Sequence, residues 1–138
     1  MPSASDGHDA VWSLLDGTVG VNAYDGEVPK SPPTDADGRV SSYAVLYYSP
    51  GRRYASAIDG RQASIDGTFQ VTCVGGDPTR ALWTVDRVID TLTAAVVTVG
   101  GIQRRIRLDE TDPGTVRRDD DVTPPRHYVP LRFRLHTP

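Results

Sequence analysis

Apolar residues fall into helical stripes and alternating runs, separated by clusters of Gly, Pro and Asp, and this rhythm predicts the elements. Residues 6–17 read as a short helix with Asp6 at its cap, Asp9 in its first turn and a glycine at its end; Val11, Leu14 and Leu15 form its buried stripe, with Trp12 beside it. Residues 19–24 alternate as a short strand that buries Val19, Val21 and Ala23, and Pro29 ends it. The text PKSPPTDADGRVSS, residues 29–42, is too polar to bury apolar area and predicts a long mobile loop; the polar start, residues 1–6, is expected to be flexible. YAVLYY is apolar on both faces and reads as a central strand. The paired Asp-Gly steps of IDGRQASIDG predict turns, and residues 68–74 predict a half-buried strand with Phe69, Val71 and Cys73 inward.

A second, longer helix follows, with Asp77 as its cap and Pro78 at its first position. Ala81, Val85, Val88 and Leu92 fall on one line at about 100° per residue, widened by Leu82 and Ile89 into the expected core stripe. Trp83 lies near the opposite side, among Asp86, Arg87 and Asp90. Two further strands are expected. Ile102, Ile106 and Leu108 share one face, opposite Gln103, Arg105 and Arg107; Val129, Leu131, Phe133 and Leu135 alternate with Tyr128, Pro130, Arg132, Arg134 and His136. Pro130 cannot donate a ladder hydrogen bond and places the last strand at an edge or bulge. Pairing of the two strands would merge Arg105, Arg107, Arg132 and Arg134 into a basic surface. Residues 109–126 read as a charged loop. The order predicts an α+β fold, a mainly antiparallel sheet of about four to five strands packed against one long and one short helix.

Composition narrows the function. The chain has 138 residues, 38% of them hydrophobic, which suits one domain over residues 1–138. A net charge of -3 argues against a general affinity for nucleic acid phosphates. One cysteine excludes an intrachain disulfide. No apolar run approaches the roughly 20 residues of a membrane helix, so a soluble chain made in the cytoplasm and no membrane partner are expected.

Catalytic and cofactor motifs are sought without success. The Gly-Gly junction before Asp77 lacks the third glycine of a dinucleotide fingerprint and the lysine of a triphosphate loop, and Asp77 would repel a phosphate. Asp119, Asp120 and Asp121 lack calcium-loop spacing and read as a solvated turn or an ionic contact with Arg117 and Arg118. His8, placed in a frayed terminus, His127 and His136 have no metal-ligand spacing, and Cys73 reads as core filler. No catalytic residue, metal or cofactor is assigned.

The order of elements, the phrase FQVTCVGGDPTRALWTVDRVIDTL and the closing DDDVTPPRHYVPLRFRLHT resemble the tail terminator proteins of long-tailed bacteriophages, over residues 9–135. The resemblance implies an α+β subunit of a homohexameric ring at the head-proximal end of the tail tube. Such a ring stops tube polymerisation and offers the docking surface for the head connector. The implied partners are further copies of the chain, the major tail tube protein and a head completion or connector protein, with DNA passing through without sequence-specific binding. The implied location is the virion, after assembly in the host cytoplasm. A ring subunit needs two unlike side surfaces. Trp83, Asp86, Arg87 and Asp90 are candidates for one, and Tyr128, Arg132 and Arg134, on the expected edge strand, for the other. Pro32, Pro33, Asp35, Asp37 and Arg39 of the long loop, with Arg52, Arg53, Arg117, Arg118, Asp119, Asp120 and Asp121, are candidates for contact with tube or connector. The arginine faces are expected to meet acidic protein surface instead of DNA. The alternatives are a head-tail adaptor or head-closure protein of the phage neck, a small ligand-binding or enzymatic domain, and a nucleic-acid module.

Overall fold

The computed structural model describes residues 3–49, 52–55, 62–109 and 115–137. Its elements, in chain order, are α1 (Ala4–Asp16), β1 (Asn22–Asp25), β2 (Tyr43–Tyr48), β3 (Arg52–Ala55), β4 (Gln62–Gly75), α2 (Pro78–Ala94), β5 (Val96–Val99), β6 (Ile102–Arg105), β7 (Arg107–Leu108), β8 (Arg117–Asp119) and β9 (Arg126–Thr137). The fold is α+β as expected, but with more strands. The main sheet runs β1-β2-β4-β9-β7, with β3 also beside β4 and β8 also beside β9, while β5 and β6 form a separate two-stranded sheet. Among the described residues, β1 with β2 is the only parallel pair.

Both helices start where side chains satisfy their orphan amides. The Asp77 carboxylate accepts from the Arg80 N–H at 2.7 Å, with Pro78 following it as predicted. In α1 the cap is Ser3, whose Oγ accepts from Asp6 N–H at 3.1 Å; Asp6, expected at the cap, is inside the helix. His8, expected in a frayed terminus, lies within α1, with Nε2 2.8 Å from Asp25 Oδ2 and Nδ1 3.0 Å from Asp9 Oδ1. These two carboxylates raise the imidazole above its ordinary pKa.

The buried stripe of α2 is Ala81, Thr84, Val88 and Leu92, rotated from the expected line. Thr84 takes the position by donating to Arg80 O at 2.9 Å and Val74 O at 3.2 Å, so its hydroxyl is buried without an unmet partner. Leu82, expected in the core, is 51% exposed. The helix also lies close against β4: a Cβ on Gly75 would stand 2.4 Å from Ala81 N.

The core packs α1 and α2 onto the alternate residues Ala44, Leu46, Phe69, Val71, Cys73, Val129, Leu131, Phe133 and Leu135 of β2, β4 and β9. Phe69 and Phe133, paired in register, stack at 5.3 Å between centroids. Cys73 is fully buried, and that burial pushes its thiol far up, so it is core filler as read.

Four strand expectations are corrected. The first strand is Asn22–Asp25, and Val19, expected on its buried face, is 79% exposed. The stretch predicted to turn before Gly67 is, from Gln62, already the start of β4; residues 58–61 lie outside the described residues. The run from Ile102 to Leu108 is two strands, because β6 pairs with β5 whereas β7 pairs with β9. The last strand is interior, between β4 and β7. Pro130 is accommodated because β8 pairs only with residues 126–128 and β7 only with 133–134, leaving a gap beside it.

Candidate functional site

The alternation that points Phe69, Val71 and Cys73 at the helices points Thr68, Gln70, Thr72 and Val74 outward, and register extends this outer face across the sheet. Tyr43, Val45 and Tyr47 lie opposite Val74, Thr72 and Gln70; Tyr128, Pro130, Arg132 and Arg134 lie opposite Val74, Thr72, Gln70 and Thr68; Arg107 lies opposite Arg134. The two ends of this face differ.

One end is sealed. A parallel β1–β2 pair requires a crossover of about a dozen residues or more, and here the connection is the polar loop, which folds over the outer face. Thr34 and Val40 form a β-bridge, and Asp35 Oδ1 accepts from Asp37 N–H at 2.9 Å and Arg39 N–H at 3.0 Å. Arg39 donates to Asp77 at 3.1 Å, tying the loop to the cap of α2. The loop does bury apolar area, contrary to expectation: Val40 packs with Tyr43, Val45 and Val74 in a second cluster, flanked by Tyr24 and Tyr128. Arg126, buried beside it, donates to Tyr43 Oη at 2.9 Å and to Pro29 O at 3.5 Å. Burial pushes the Tyr43 phenol above its ordinary pKa, opposed by the Arg126 charge.

The other end is open. Tyr47, expected inside a central strand, is 38% exposed, and with Ser49, Thr68, Phe69, Gln70, Asp109 and Arg132 it lines a cleft of about 260 Å³. Exposed Arg107, Arg132 and Arg134 form the predicted basic surface; Arg105 is exposed on the separate β5–β6 sheet. Asp109 N–H donates to Arg132 O at 2.8 Å, continuing β7 along the gap.

The remaining predicted residues lie elsewhere. Asp86, Arg87 and Asp90 are exposed on α2, on the opposite layer from the arginine row. Trp83 is half-buried. Its ring passes beneath Gly20, which sits at φ 79° and where a Cβ would stand 2.9 Å from the indole, and the Arg80 and Arg87 guanidiniums lie 4.1 and 5.0 Å from the ring centroid. The turn between α1 and β1 therefore covers part of the indole. Pro32 and Pro33 are half-buried in the sealing loop, with Asp35, Asp37 and Arg39 exposed. Arg117 lies opposite Tyr128 and Asp119 opposite Arg126, while Arg118 Nε pairs with Asp120 and Asp121 N–H with Asp119 Oδ1, an ionic turn as read. The side chains of Arg52 and Arg53 lie outside the described residues. Tyr47, Thr68 and Gln70, which line the cleft, are not among the predicted site residues; the signal for them is the alternation of β4 carried across to β2.

No family model matches the chain, and no curated protein matches it in sequence. A chain from the virion of a native gene transfer agent (GTA) particle is similar in structure: 17% identity, TM-score 0.54, covering 94% of this chain and 92% of that one. Another solved chain, with no stated function, is 18% identical over 95% of both chains, with a TM-score of 0.49.

Proposed function

We propose that the protein is a structural component of a phage-like virion, a tail terminator that forms a homohexameric ring on the head-proximal end of the tail tube. It stops tube polymerisation there, presents the surface on which the head connector docks, and makes or breaks no covalent bond. The observation that carries the reading is the end-to-end similarity in fold to a chain of a GTA virion particle, together with the tail-terminator pattern in the sequence. Physical features fit it. The chain offers unlike surfaces on its two sheet edges and its two layers, as a closed head-to-tail ring requires. Its open half-face is broad and polar, suited to a protein partner.

DNA passes through such a ring without being held. Arginines 107, 132 and 134 would grip it if they lined the lumen, so they face protein.

The test is to assemble particles without this protein. Tubes of abnormal length are expected; tails of normal length that fail to join heads would replace the reading with that of a neck adaptor. In a gel-retardation assay, tight and salt-sensitive retention of duplex DNA by the purified protein would count against the assignment of the arginines to protein contacts.

A further inference from the structure

The imidazole of His8 joins two elements through two carboxylates. Nε2 stands 2.8 Å from Asp25 Oδ2 on β1, and Nδ1 stands 3.0 Å from Asp9 Oδ1 on α1. A neutral imidazole carries one N–H and can donate to only one carboxylate, so serving both requires the imidazolium. The side chain is 26% exposed, which leaves water little room to replace either partner. The surrounding charge favours the proton, since residues 1–29, which include α1 and β1, contain five acids and no Lys or Arg. The titratable side chains that face the ring are Asp9 from α1, Asp25 from β1 and Tyr48 from β2. Tyr48 meets it edge-on at 5.8 Å, with a phenol that burial pushes up to about 12 and so keeps neutral. From β9 the same turn of α1 meets the apolar Leu135, and from β4 Gly67 lies against Tyr48 Oη. The helix is seated closely here: Gly7 is buried, and a Cβ on it would overlap Tyr48 Oη. Tyr48 in turn stacks on Phe69, and Phe69 on Phe133.

We propose that His8 is a proton-operated clasp: protonated, it ties the first turns of α1 to β1 and seats them on Tyr48, and on losing its proton it lets them lift. The clasp does not depend on the assembly the chain enters. Its direction follows from the two carboxylates, which hold the folded imidazole above its ordinary value of 6.5. The clasp is therefore fully closed below about pH 6.5 and loses its hold as pH rises through the higher folded value. Release is local. Val11 and Leu15, both fully buried further along α1, keep the rest of the helix on the core. What opens is the turn around Gly7 and His8, and what it uncovers is Tyr48, at the end of the aromatic stack.

NMR titration of the full chain from about pH 5.5 to about pH 9 tests this. The His8 ring is expected to titrate with a midpoint above its ordinary value, and Asp25→Asn should move that midpoint down toward it. Hydrogen-exchange protection of the amides of residues 7–10, corrected for the intrinsic pH dependence of exchange, should fall about threefold across the same titration, the size expected of a partly exposed ion pair. The Tyr48 ring resonances should shift with the same midpoint. In His8→Gln the protection should be low throughout and independent of pH. A His8 midpoint at or below the ordinary value, a midpoint unmoved by Asp25→Asn, protection that stays flat across the titration, or a fall that persists in His8→Gln would each overturn the clasp. Should a variant fail to fold by circular dichroism, the native chain decides: coincident midpoints for His8, the amides and Tyr48 support the clasp, and separate ones overturn it.

Discussion

The two ends of the outer sheet face share strands β2, β4 and β9 and one continuous register, yet one is sealed and the other bare. At the sealed end Tyr43, Val45 and Val74 are buried beneath Val40, and Arg126 reaches across to the loop. At the open end, two steps along the same strands, Tyr47 and Gln70 lie opposite each other beside exposed Arg132. Strand alternation alone therefore does not decide burial. The parallel β1–β2 pair forces a long connection, and where that connection lands determines which half of the face becomes core and which remains available to partners.

The largest effect should come from prising the loop away. A Cβ on Gly76 would stand 2.8 Å from Val40 O and 2.9 Å from Arg39 Cβ, so Gly76→Ala must displace the loop backbone and expose the second cluster. A loss of about 3 kcal/mol is expected in urea unfolding, from overpacking and lost burial. An unchanged midpoint would mean that the loop contributes no seal.

Next in size is Tyr43→Phe, which leaves a buried guanidinium N–H of Arg126 without its acceptor and should cost about 2 kcal/mol. Adding Arg126→Met should recover most of that loss, since an apolar replacement of both partners removes the unmet charge. Failure of the second change to recover stability would assign the cost to packing.

A smaller effect is expected in alkali. The folded Tyr43 phenol binds its proton more tightly than the unfolded one, so its contribution is fully present below about pH 10 and is lost as pH rises through the higher folded value. Stability measured from pH 9 upward should fall less steeply in Tyr43→Phe than in the native chain. Equal slopes would show that the sealed end does not resist ionisation.

Much of this architecture is legible in the sequence, and its gaps have physical causes. The cap at Asp77, Pro78 behind it, the bounds of Tyr43–Tyr48 and the inward row Phe69, Val71, Cys73 follow from local chemistry and period. Thr84 is missed because its polarity conceals a hydroxyl satisfied by Val74 O and Arg80 O, and taking Leu82 in its place rotated the stripe. Strand β5 is missed because Val96–Val99 follows α2 after a single residue, with no glycine or proline to separate them. The interior position of β9 is missed because Pro130 signals an unpaired segment, and the gap between β8 and β7 supplies one inside the sheet. Three of the four arginines expected in the basic row, Arg107, Arg132 and Arg134, are read correctly from alternation, whereas Arg105 lies on the β5–β6 sheet; the open half-face beside the row depends on where a loop lands, which no local pattern records.

The smallest effect on stability belongs to the open end and bears most on function. Gln70→Ala/Tyr47→Ser removes side chains that line the cleft and leaves the core alternation of β2 and β4 untouched. Surface changes of this kind usually stay within about 0.5 kcal/mol, so the urea midpoint should hardly move. Binding to a partner seated on this half-face should weaken by about tenfold if the tyrosine is one of its anchors. Substitutions at the sealed end are expected to change folding and spare assembly per folded molecule, while this one should spare folding and, under the proposed function, weaken assembly with tail tubes. A double variant that is stable and joins tubes as the native chain does would show that the open half-face is merely solvated. The docking surface would then have to be sought on the helical layer around Trp83, Asp86 and Asp90.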